Sequence, residues 1–321
     1  KGRFFGTRQM GMTFAMVLYG LLLSALLVWI RDDAVRYAVL FGAAALVGWI
    51  DVLLYAWIRP PERAHSPGAV RDLSREGGMK SLLRPLRDPG YGRYLGVVLF
   101  WSLGINLTGP YFNLYMMEHL SLPIGTMNVL VQIIPSIATV LFIRKVGAVL
   151  DRHGIRSALV LCLVLSSLFP VCWLFVTVRT TWLIAPMNFI AGVVNPAVEL
   201  SLLSLAIFLA PDAHRPRFLM ARTLVAALLG AIPGLLAGGL IAQHLAPVLD
   251  AAAIPFLLGQ QLHPFHVQLV LSFLFRFLAG ACFARRLPEE GMQSVAGLVR
   301  SILSGLASSF RPAARSTSRP K

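Results

Sequence analysis

The chain has 321 residues, 57% of them hydrophobic and only 13% charged, with a net charge of +15. Soluble domains carry roughly a quarter charged residues, so there is too little polar surface here to cover a water-soluble globule. The high apolar content equally excludes a disordered chain. Composition and length point to an all-α polytopic membrane protein.

Eight apolar runs are long enough to span, at about 10–30, 37–58, 94–117, 124–143, 157–178, 182–209, 219–243 and 266–284. None shows strand-like alternation, so eight transmembrane helices are expected. An even number puts both termini on one side. With that side inside, the inner segments hold 25 Lys and Arg against 3 outside, and Arg276 alone lies within a span. The positive-inside rule then makes both ends of this chain cytoplasmic. The basic excess belongs to lipid-facing loops and is not interleaved with aromatic residues, so no nucleic acid partner is expected and membrane lipid is. After residue 287, Val295, Leu298, Val299, Ile302, Leu306 and Phe310 recur at helical spacing. They suggest a surface helix leading into a disordered tail.

Cys162, Cys172 and Cys282 all fall inside apolar runs and offer no disulfide framework or zinc spacing. His263 and His266 have no third ligand close in sequence, and no phosphate-binding lysine motif is present. No metal, no cofactor and no enzyme chemistry are expected. Among catalytic constellations, His244 and Asp250 are the nearest pair, at a spacing that fits no nucleophile and base.

The chain contains a repeat. Arg3-Phe4-Phe5-Gly6-Thr7-Arg8 opens the first span and Arg217-Phe218-Leu219-Met220-Ala221-Arg222 opens the seventh. Each following span pair exits through a proline and glutamate, at Pro61-Glu62 and Pro288-Glu289. Spans one and two therefore match spans seven and eight. On this reading residues 1–58 end one half, 59–93 form a cytoplasmic central loop, 94–286 form a complete six-helix half, and 287–321 form a cytoplasmic tail. The chain begins with Lys1 and is expected to be a fragment, its partner being the missing N-terminal helices of the same protein.

The loop after the fourth span reads Gly147-Ala148-Val149-Leu150-Asp151-Arg152-His153-Gly154-Ile155-Arg156. This G-x-x-x-D-R-x-G-x-R pattern, placed after the second span of a six-span block, resembles the major facilitator superfamily. Ile155 stands where that family usually has a basic residue. The resemblance spans the chain as helices five to twelve of a 6+6 bundle. It implies a secondary transporter that carries a small solute by alternating access. It also implies that Gly147, Asp151, Arg152, Gly154 and Arg156 form a cytoplasmic gating loop that latches one access state.

Polar residues within spans are costly and need a reason. Asn188, Asn195 and Glu199 fall on one helix face of the sixth span, beside Gly192 and Pro196. The third span carries Asn106, Gly109-Pro110, Tyr111 and Asn113, where glycine-proline is expected to interrupt the helix. The resemblance implies that both spans line the central cavity. Asn106, Tyr111, Asn113, Asn188, Asn195 and Glu199 are the expected substrate residues, with Glu199 as the proton-coupling carboxylate. Asp51 and Arg276 fall on helices that the family places at the periphery, so a structural role is expected for both. Gly230, Gly234 and Gly238 recur every four residues as a helix-packing face. The alternative to transport is a membrane sensor or scaffold with the same fold, because fold alone does not fix function.

Overall fold

A computed structural model describes residues 2–30, 32–57, 85–287 and 297. Among the described residues are eight long helices: α1 (Gly2–Trp29), α2 (Asp33–Trp57), α3 (Pro89–Glu118), α4 (Ile124–Arg152), α5 (Ile155–Trp173), α6 (Thr181–Leu209), α7 (Arg215–Ala252) and α8 (Pro264–Arg286). No strand occurs among the described residues. Six of the helices, α3 to α8, are long and apolar enough to cross a membrane, and α2 has the shorter apolar stretch Phe41–Leu54. The amphipathic segment expected after residue 287, apart from residue 297, and most of the 59–93 loop lie outside the described residues.

Helix ends follow local chemistry. Asp88 caps α3, accepting from the Tyr91 backbone N–H at 2.8 Å, and Pro89 takes the first helical position, where a missing N–H costs nothing. Thr177 and Thr180 form a reciprocal cap that turns the chain into α6. Gly154 separates α4 from α5 at φ 93°, a conformation that disfavours any residue with a Cβ.

Prolines shape the helix interiors. A proline lacks the N–H and its ring crowds the carbonyl four residues back. Pro135 and Pro233 each follow a widened π turn, Val129–Ile133 in α4 and Val225–Ala231 in α7, which makes room for that ring. Pro110, by contrast, lies inside a continuous α3. The interruption expected at Gly109-Pro110 is therefore absent, and the proline is absorbed on an exposed face of the helix.

α3 stands at the centre of the six-helix block and packs on α5, α6, α7 and α8. Its Tyr91, Tyr94 and Trp101 are fully buried against Leu159 and Leu163 of α5 and Leu202 of α6. In lipid, close packing and interhelical hydrogen bonds hold helices together, because burying apolar surface from lipid gains little. The α7 glycines show how close packing is reached. A Cβ on Gly234 would lie 3.1 Å from the Leu103 carbonyl of α3, and one on Gly238 would lie 2.5 Å from the Leu107 carbonyl. Gly230 meets Ser102 of the same helix. α1 lies along α4 and touches α6, with Met10 packed against the small core of Ile143, Leu150 and Leu200. Among the described residues, α2 packs against α1.

Candidate functional site

The helices alternate in direction, so one end of the bundle gathers the start of α3, the 153–154 turn, the start of α7 and the end of α8. Arg93 donates to the Arg286 carbonyl at 3.4 Å, and Arg156 donates to the Arg285 carbonyl, which ties that end together. Asp151 and Arg152 are exposed there, and Gly147 is buried in the last part of α4.

Glu199 lies ten residues before the end of α6. Its Oε2 accepts from Arg222 Nη2 of α7 at 3.0 Å, and its Oε1 accepts from the Trp101 indole N–H of α3 at 3.0 Å. The Glu199 side chain is 56% exposed and that of Arg222 21%. On the open side is a cavity of about 170 Å³ lined by Arg8 and Gln9 of α1, Glu199 and Leu200 of α6, and Arg222. Arg8 has no carboxylate partner among the described residues. The cavity thus holds two guanidinium groups and one carboxylate, a local excess of one positive charge.

This grouping is chemically versatile. A charged Glu199 is held by a charge-assisted bond to Arg222 and a neutral bond to Trp101. A protonated Glu199 keeps the indole bond but gives up the ion pair, which leaves Arg222 free beside Arg8.

The other expected substrate residues do not converge on that cavity. Asn188 Nδ2 donates to the Leu130 carbonyl of α4 at 2.9 Å. Asn195 Oδ1 accepts from Ser166 Oγ of α5 at 2.9 Å. The α6 polar row is thus divided among α4, α5 and the α3–α7 side. Asn106 turns back onto the Ser102 carbonyl of its own helix at 2.8 Å. Tyr111 donates to the Leu235 carbonyl of α7 at 3.2 Å, and Asn113 is exposed.

Of the two charges expected to be structural, Arg276 is buried among α3, α5 and α8. It donates to the carbonyls of Ser166 at 3.4 Å and Gly104 at 3.5 Å, and its guanidinium faces the Trp101 ring at 5.7 Å. Asp51 sits on an exposed face of α2 with no partner among the described residues, because α2 has so few neighbours.

In the sequence Arg8 and Arg222 stand out as inner-side charges and as repeat elements, not as site residues, and Trp101 does not stand out at all. The repeat held the missing signal: Arg8 and Arg222 are the final arginines of the two R-F-x-x-x-R elements, and they line the same cavity.

A bundle of long apolar helices with a charged cavity between them is the architecture of an integral, multi-pass membrane protein. A family model described as Major Facilitator Superfamily matches residues 1–235, and the chain belongs to that family of membrane transporters. No curated protein and no solved structure matches the chain.

Proposed function

We propose that the chain belongs to a secondary active transporter that moves a small solute by alternating access and couples it to protons through Glu199. The observation that carries this reading is the Glu199 carboxylate itself. It is a titratable group within a span, shared between Arg222 and Trp101, and it opens on a cavity that α1 closes with Arg8. By the repeat reading, α1 belongs to one half of the transporter and α6 and α7 to the other. An ion pair beside that junction is placed to be made and broken as the halves rock. Protonation of Glu199 would weaken the pair and favour the arrangement in which Arg222 turns away from α6. The exposed Asp151 and Arg152, with Arg156 on the end of α8, would restrain the same end of the bundle. The excess of Lys and Arg at this end supports a cytoplasmic position for it.

The test is solute-driven proton movement in proteoliposomes loaded with a pH-sensitive dye. A panel of small solutes is screened for one that changes the lumenal pH with the wild-type protein. Glu199→Gln is expected to abolish the proton signal while solute exchange persists. Unchanged pH dependence in that variant would remove Glu199 from the coupling role.

A further inference from the structure

At the opposite end of the bundle, the tip of α3, the turn 177–180, the end of α7 and the start of α8 enclose a cavity of about 770 Å³. Three histidines line it: His119 just after α3, and His263 and His266 at the start of α8. The rings of His119 and His263 meet edge to face with centroids 4.0 Å apart. His266 is buried and stacks on Phe256 at 4.6 Å.

Hydrogen bonding fixes the protonation state of two of them. The His263 backbone N–H donates to Nδ1 of His266 at 3.0 Å, and the Phe265 backbone N–H donates to Nδ1 of His263 at 3.2 Å. A ring nitrogen that accepts carries no proton, so both imidazoles are neutral with hydrogen on Nε2. The two bonds satisfy N–H groups at the start of α8 that have no helical acceptor. They also leave neither ring a lone pair for a metal, and no cluster able to hold one occurs among the described residues. The ligand these rings can still take is a proton. Taking it puts hydrogen on Nδ1, turns an accepted cap bond into two opposed N–H groups, and sets a cation against the neighbouring imidazole.

We propose that His119, His263 and His266 form a proton-binding site that ties the start of α8 to the tip of α3 when neutral and releases it when protonated. The site is separate from Glu199 and does not depend on the solute or on the coupling role given to that residue. The charge distribution places it on the outer face, where it would sample external pH.

The surrounding groups favour the neutral state. Glu118 of α3, Arg179 of the turn and Asp250 of α7 also line the cavity, but all three are exposed. The Tyr115 hydroxyl is engaged with Gln260 at 3.2 Å. Burial pushes His263 down to about 4, the nearby His119 and His266 push the same way, and Asp250 opposes them. In a released state His263 is solvated and titrates near its ordinary value of about 6.5. Between these two values the released state binds a proton that the closed state does not. Closure is therefore strongest above neutral pH and is lost as pH falls through that window, by about 300-fold in total.

The test is hydrogen–deuterium exchange of the full chain in lipid nanodiscs between pH 7.5 and 4.5, corrected for the intrinsic pH dependence of exchange. The readout is protection of the His263 and Phe265 amides. The control is the double variant His263→Asn, His266→Gln, whose side chains keep an acceptor for each cap bond and do not titrate. Wild type is expected to lose roughly 50- to 100-fold in protection by pH 4.5, while the double variant stays protected. Wild-type protection that does not change with pH, or equal loss in both proteins, would overturn the proposal. If the double variant does not fold, His119→Phe keeps the ring contact and removes one charge. Relieving the repulsion from His119 lets closed His263 hold a proton more readily, so less protection should be lost by pH 4.5 than in wild type, and an equal loss would count against the cluster.

Discussion

Arg276 donates to the carbonyl of Ser166, and that is the carbonyl Pro170 leaves without a helical partner four residues on. The same device recurs twice. Pro196 frees the Gly192 carbonyl, which accepts from Thr139 Oγ1 of α4 at 2.6 Å. In α4 the Ile134 N–H bonds the Val129 carbonyl and Pro135 has no N–H for Leu130, whose carbonyl accepts from Asn188. In each case a neighbouring helix supplies the donor that proline removed. An unsatisfied backbone group in lipid costs several kcal/mol, so these bonds fix helix pairing.

This predicts coupling between Arg276 and Pro170. Arg276→Met leaves the Ser166 carbonyl unpaired and should lower stability by about 1–3 kcal/mol. In a Pro170→Ala background residue 170 regains its N–H, and the same change should cost less. Melting temperatures of the four proteins in one detergent give the cycle, with an interaction of about 0.5–3 kcal/mol expected. Strict additivity would mean that Arg276 acts through the Trp101 face or Gly104 instead.

Asn188 answers to the same logic. Asn188→Ala should destabilise the fold by about 1–2 kcal/mol by stranding the Leu130 carbonyl. Flux per folded molecule should be unchanged, because Asn188 does not reach the Glu199 cavity. A variant that melts normally but binds solute more weakly would return Asn188 to the substrate site.

The contrast shows what the sequence makes legible. The eight helices follow from hydropathy and length, and the glycine row of α7 follows from its period, because these are properties of single segments. The fate of Asn188 and Arg276 depends on prolines in other helices, so facing and spacing within one span misdirect the reading. A rule could have found them: a proline in a span marks an orphan carbonyl four or five residues back, and a polar residue elsewhere must fill it. The Glu199 partners were hidden for a different reason. Arg222 lies near enough to an inner loop to be counted as a topology charge, although only 21% of its side chain is exposed.

Close packing makes Gly192 a sensitive position. A Cβ there would overlap the backbone of Pro135 in α4, which cannot retreat as a flexible side chain could. Gly192→Ala should therefore cost about 1–3 kcal/mol, as overpacking does, and should also weaken the Thr139 bond to its carbonyl. By comparison Gly125→Ala, which meets nothing within 4 Å, should change the melting temperature little. Equal effects at the two positions would show that α4 and α6 are farther apart in the membrane than this packing requires.

The Glu199–Arg222 pair separates stability from function. More than half of the Glu199 side chain is exposed, so screening keeps the pair to about 1 kcal/mol or less. Glu199→Gln keeps an oxygen for the Trp101 indole and should barely move the melting temperature. Glu199→Leu strands that indole N–H and should cost about 1–3 kcal/mol more. If protonation of Glu199 releases Arg222, the Gln variant should resemble the wild type at low pH in every conformational readout. A spectroscopic pair placed on α1 and α7 provides one: wild type should approach the Gln signal as pH falls, and the Gln signal should be flat. Arg222→Gln should likewise be flat, since no partner remains to be released. A wild-type transition that survives in both variants would place the proton at another group.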